Sequence, residues 1–106
     1  MQNVLMLFGH PAEPAAFDSH FKDNFSPLLR AIPNVRKIEI NQVAGAAHGD
    51  SPYYLIVSLQ FDSDDALQDG LNSEAGQAMA SGMDDFVTGG VSVLFAQAVI
   101  ESMGAP

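Results

Sequence analysis

The sequence predicts an α+β fold. Strands and helices follow in the order β-α-β-β-α-β, which gives a four-stranded antiparallel sheet with helices on one face. Three observations predict it. The chain has 106 residues, the length of one ordinary domain, and no linker, internal repeat or low-complexity segment divides it. Four stretches, 2–9, 35–43, 53–61 and 91–96, are rich in β-branched and aromatic residues. Two others carry apolar residues at helical spacing. With 47% hydrophobic residues, a chain this long hides roughly two-thirds of its unfolded surface without staples.

The elements are justified in turn. Residues 2–9 are apolar and end at Gly9-His10-Pro11, a strand stop. Pro14 suits a first helical turn, where its missing N–H is not needed. Phe17, Phe21, Phe25, Leu28 and Ile32 then recur at helical spacing. Ser26-Pro27 interrupts them as an N-cap and first residue would, so a kink or restart is expected at Ser26. Pro33-Asn34 closes the helix, since Asn tolerates a left-handed turn. Val35 to Val43 and Tyr53 to Phe61 alternate as strands. Asp62-Ser63-Asp64-Asp65 starts a short helix with Ala66, Leu67 and Leu71 buried. Ser73-Glu74 starts another through Ala75, Met79, Met83 and Phe86. Thr88-Gly89-Gly90 breaks it before the last strand. The pattern is the ferredoxin-like split βαβ, with core 2–97 and tail 98–106.

A sheet covered on one face should alternate apolar and polar residues. The first strand does not: Val4, Met6 and Phe8 face one way, Leu5 and Leu7 the other. The third carries Tyr53, Leu55, Val57, Leu59 and Phe61 on one face and Tyr54 and Ile56 on the other. Helices cover one face only, so a second copy of the chain is expected on the other. Such a homodimer would bury on the order of 2,000 Å². The competing expectation is that loops and the C-terminal tail do the covering.

Four basic against thirteen acidic residues give a formal charge of −9. That balance excludes phosphate-backbone recognition of nucleic acid and attraction to anionic membranes. Absence of cysteine excludes disulfides, thiolate catalysis and Cys-ligated metals. No signal-peptide or membrane-spanning stretch is visible, so a soluble, cytoplasmic protein is expected. His10, His20 and His48 form no HxH or HxxxH pair, and no nucleotide-binding loop is present. No metal and no cofactor are therefore expected.

The helix around Phe17 carries the candidate site. At roughly 100° per residue, Phe17, Asn24 and Leu28 lie near one line, with His20 to one side and Phe21 and Phe25 to the other. His20 and Asn24, four apart, can interact. A polar pair beside three phenylalanines suits a small apolar pocket with one or two orienting groups. A half-buried structural His is the plainer alternative.

At these residues the sequence resembles the EthD family, named after a protein linked to degradation of ethyl tert-butyl ether. The matching segments are Ala16-Phe17-Asp18-Ser19-His20-Phe21, Pro27-Leu28, Ile32-Pro33, Phe61-Asp62-Ser63, Ala66-Leu67, Ser73-Glu74-Ala75-Gly76-Gln77-Ala78, Phe86 and Gly89-Gly90-Val91. The resemblance implies a dimeric α+β barrel with a pocket in each subunit between sheet and helices. It also implies association with an ether-oxidising system. Family members commonly carry a second His where Phe25 stands, and a Gly where Asn34 stands. Acid–base chemistry would thus rest on His20, and Phe25→His is expected to leave the fold nearly intact.

Three functions compete. The leading one is binding of an apolar, oxygen-bearing small molecule by His20, Phe17, Phe21, Asn24, Phe25, Leu28 and Tyr54, as an accessory to an oxygenase. The second is a cofactor-independent monooxygenase or cyclase, with His20 as base or donor and Asn24, Tyr53 or Tyr54 as its partner. The third is a structural dimer with a vestigial pocket.

Overall fold

A computed structural model describes residues 1–99 and Gly104; the rest of the tail assigned to 98–106 lies outside the described residues. The strands are β1 (Gln2–Gly9), β2 (Lys37–Gln42), β3 (Tyr53–Phe61) and β4 (Val91–Gln97). They form one antiparallel sheet in the order β2-β3-β1-β4. The helices are α1 (Pro14–His20), α2 (Ser26–Ala31), α3 (Asp64–Asn72) and α4 (Glu74–Met83). The α+β order and the four-stranded antiparallel sheet agree with the sequence pattern. No helix among the described residues is long and apolar enough to cross a membrane.

Alternation builds the core. Val4, Met6 and Phe8 pair across the strands with Leu59, Val57 and Leu55, and all six are buried under the helices. The opposite face carries Leu5, Leu7 and Ile56, half-buried, and Leu94, which is 50% exposed. On the edge strand β4 even the helix-side residues stay open. Val93 and Phe95 sit opposite Met6 and Val4 yet are 41% and 62% exposed.

Caps fix the short helices. Ser63 accepts from the Ala66 N–H and Ser73 from the Gly76 N–H, so α3 and α4 each begin on a serine. Asn34 takes a left-handed φ of 71° after α2; its amide donates to the Ala66 carbonyl at 3.1 Å, tying this turn to α3.

The first helical stretch corrects the sequence reading in one respect. Between α1 and α2 the chain forms a π-helical turn, Phe21–Phe25, and the Ser26 N–H donates to the Phe21 carbonyl five residues back. The wider turn sits just before Pro27, whose ring would crowd the carbonyl four residues earlier in a regular α-helix. It also shifts the phase by about one residue. The core stripe becomes Phe17, Phe21, Phe25, Leu29 and Ile32. Leu28, expected beside Phe17, is only half-buried. It lies against Gly82 of α4, where an added Cβ would meet its Cδ1.

Candidate functional site

The site begins where β1 leaves the sheet. A Cβ on Gly9 or on Gly89 would run into the backbone of the opposing segment, so two glycines allow the exit of β1 to touch the α4–β4 connection. The Gly9 N–H donates to the Gly90 carbonyl at 2.9 Å, and the Ala12 N–H to Thr88 Oγ1 at 3.0 Å. The two segments thus form one wall. α1 rises opposite, started by Pro14 in its first turn.

Between wall and helix lies an open cavity of about 380 Å³. Phe17, His20 and Phe86 supply its rings; Glu13, Asp85 and Thr88 are its polar lining. The His20 ring stacks on Phe86, centroids 4.8 Å apart and planes 20° from parallel. Asn24 Nδ2 stands 3.4 Å from His20 Nδ1. The tautomer sets the roles in that long contact: where Nδ1 accepts from the amide, the imidazole proton is on Nε2. Beneath, Phe86 meets Phe17 and Phe25, each at 5.0 Å, and Phe8 lies edge-on to Phe17, Phe21 and Phe25. Those rings leave the floor of the cavity few ways to repack.

Phe17 also walls a second cavity, of about 270 Å³, with Asp18, Phe21, Ile40, Gln42 and Leu55. The Tyr54 hydroxyl donates to the Asp18 carboxylate, 2.8 and 2.9 Å from its two oxygens. That hydrogen bond, helped by burial and by the carboxylate charge, holds the Tyr54 phenol above its ordinary pKa of 10.0. Strict alternation assigns Tyr54 to the sheet face away from the helices. A register irregularity intervenes: Phe8 pairs with Leu55 and Gly9 with Tyr53, leaving Tyr54 without a partner in β1. At such a bulge the chain re-aims its side chain. Tyr54 accordingly meets Phe17 edge-on at 5.5 Å.

Of the residues the sequence singles out, the structure brings together Phe17, His20 and Asn24; Phe21 lines the second cavity, and Tyr54 packs against Phe17 and bonds Asp18 at its wall. Phe25 lines neither cavity. It is 1% exposed, sealed among Phe8, Phe21 and Phe86. The expectation that a histidine fits there without harm does not survive, since an imidazole would find no polar partner among those rings. Leu28 belongs to the helix–helix contact. Tyr53 lines a separate loop cavity with His10, whose Nε2 lies 2.7 Å from the Ser51 carbonyl oxygen. Phe86, Glu13, Asp85 and Asp18 join the site although the sequence does not single them out as site residues. Phe86 is legible only as the end of an apolar stripe, and Asp18 meets Tyr54 across 36 residues.

Comparison with known proteins follows the same outline. The EthD domain signature matches residues 9–90. An uncharacterized 11.0 kDa protein from the thcB–thcC intergenic region of Rhodococcus erythropolis is 32% identical over 95 residues, covering 90% of this chain and 92% of that one. The crystal structure of an EthD family protein from Bacillus halodurans C-125 superposes with a TM-score of 0.89 at 24% identity, over 93% of this chain and 99% of that one. A dimeric ferredoxin-like protein of unknown function from Thermobifida fusca YX superposes with a TM-score of 0.67 at 13% identity, over 92% and 89%.

Proposed function

The chain belongs to the EthD family, and we propose that it acts there as a homodimeric binding protein for a small, apolar, oxygen-bearing molecule, accessory to an ether-oxidising oxygenase. The observation that carries the proposal is the His20–Phe86 stack over an aromatic floor in a cavity of about 380 Å³. That volume falls in the range of small-molecule sites, roughly 300–1,000 Å³. Rings supply shape and dispersion contacts; Nε2–H of His20 supplies one donor for an ether or carbonyl oxygen.

In the tautomer whose Nδ1 accepts from Asn24, His20 offers Nε2–H as a donor, the role this reading gives it. The homodimer is proposed through the sheet face of Leu5, Leu7, Ile56 and Leu94, which a single chain leaves partly open.

The test is a titration of the whole protein with ethoxybenzene, read by amide chemical shifts. Shifts centred on Phe17, His20 and Phe86, with affinity reduced at least fivefold by His20→Ala, are expected. No binding at millimolar ligand, or equal binding by His20→Ala, would refute the assignment.

A further inference from the structure

Taking the cavity beside His20 as a ligand site, we infer that it selects by charge: it rejects carboxylates and holds a protonated amine on an apolar body more tightly than the neutral equivalent. The juxtaposition that carries this is two carboxylates, Glu13 and Asp85, lining the same cavity as the rings of Phe17 and Phe86.

Among the described residues neither carboxylate is held in an ion pair. Glu13 occupies the N-cap position of α1, yet its side chain makes no capping hydrogen bond. Among the described residues the ion pairs are Arg36–Asp62 and Lys37–Glu39, and neither includes Glu13 or Asp85. The chain's four basic side chains, Lys22, Arg30, Arg36 and Lys37, are all absent from the lining. Arg30 is turned to Ser26, 2.8 Å away on α2. An anionic ligand entering here meets two like charges and no lysine or arginine.

A cation meets the opposite field. The faces of aromatic rings attract it, and the two carboxylates, both exposed, add an attraction that salt screens. The overall charge of −9 adds a long-range bias of the same sign, which salt screens. The ether oxygen of such a ligand is left for Nε2 of His20, so charge and oxygen are read by different residues.

Three probes share one phenyl ether body and differ in the terminal group: 2-phenoxyethylamine, 2-phenoxyethanol and phenoxyacetate. Each is titrated into the intact protein and followed by amide shifts of cavity residues. The amine is expected to bind three- to tenfold more tightly than the alcohol, and the acid most weakly. Glu13→Gln combined with Asp85→Asn should remove the amine's advantage while changing alcohol affinity less than about twofold, and high salt should narrow the same gap. The inference is overturned if phenoxyacetate binds as well as the amine, or if the double variant keeps the original order. If none of the three shifts the cavity residues, the ligand-site reading itself fails and the selectivity with it.

Discussion

Replacing Phe25 by histidine tests the aromatic core on which the site stands. Phe25 is 1% exposed and touches Phe8, Phe21 and Phe86 at centroid distances of 6.2, 5.5 and 5.0 Å. Burying a phenylalanine contributes about 1.5–3 kcal/mol, and an imidazole forfeits a good part of that. It also brings one N–H donor and one bare nitrogen into a shell of hydrocarbon, each costing about 1–3 kcal/mol when unpaired. The expected loss is about 3–8 kcal/mol, set against a typical total of about 5–15 kcal/mol. The sign with pH follows. Burial among rings depresses the pKa of the new histidine below about 6.5 in the folded state. The unfolded chain then takes up the proton first, so stability is lost further as pH falls below that value. Urea unfolding at pH 7.5 and 5.5, at one fixed protein concentration, reads both effects. Phe25→Leu is the control, with a loss below about 2 kcal/mol and no added pH slope. A histidine variant within about 1 kcal/mol of the parent at both pH values would refute the sealed core.

Three further outcomes are expected. Leu94→Asp places a charge on the open sheet face and should shift the protein to monomer in sedimentation velocity at micromolar concentration; an unchanged dimer would exclude that face. Asp18→Asn should bring the Tyr54 ionisation back down towards 10.0, seen as an earlier rise in tyrosinate absorbance. In the parent the stabilisation from this raised phenol pKa is fully present below about pH 10 and lost as pH climbs through the folded value, so unchanged alkaline titration in the variant would remove Asp18 as its cause. Ser73→Ala deletes an oxygen that accepts from Gly76 and donates to Gly70 at 2.6 Å; a loss of about 1–2 kcal/mol in thermal or urea unfolding is expected, and no measurable loss would show that the α3–α4 junction is held without it.

Strand alternation was legible because a period of two needs no long-range knowledge. Val4, Met6 and Phe8 on one side and Leu5 and Leu7 on the other give both the covered face and the surplus one. The same rule failed at Tyr54, because a register irregularity opposite Gly9 is a property of strand pairing. Nothing in Tyr53-Tyr54-Leu55 announces which residue is left over. The wall of the cavity was equally hidden. Gly9 and Gly89 read as ordinary turn residues, and their backbone contact appears only when β1 and β4 lie side by side.

The helix is the more instructive failure, because its signal was present and was read with the wrong period. Phe17, Phe21, Phe25 and Leu29 stand four apart. In an ideal α-helix each such step drifts by about 40°, so the stripe would wander by about 120° from first to last. A sequence that keeps four-residue spacing over three steps therefore asks for an extra residue in one turn. The π turn at Phe21–Phe25 supplies it. It keeps the four buried side chains facing the sheet, and Leu28 moves to the α4 contact. It also determines what His20 can do. One position before Phe21, it lies about a quarter-turn off the core stripe, close enough to stack on Phe86 and far enough out to line the cavity. Asn24 sits at the same offset one position before Phe25, and the pair meets across the wide turn at 3.4 Å. The boundary placement of both polar groups thus follows from the phase correction that seats the phenylalanines.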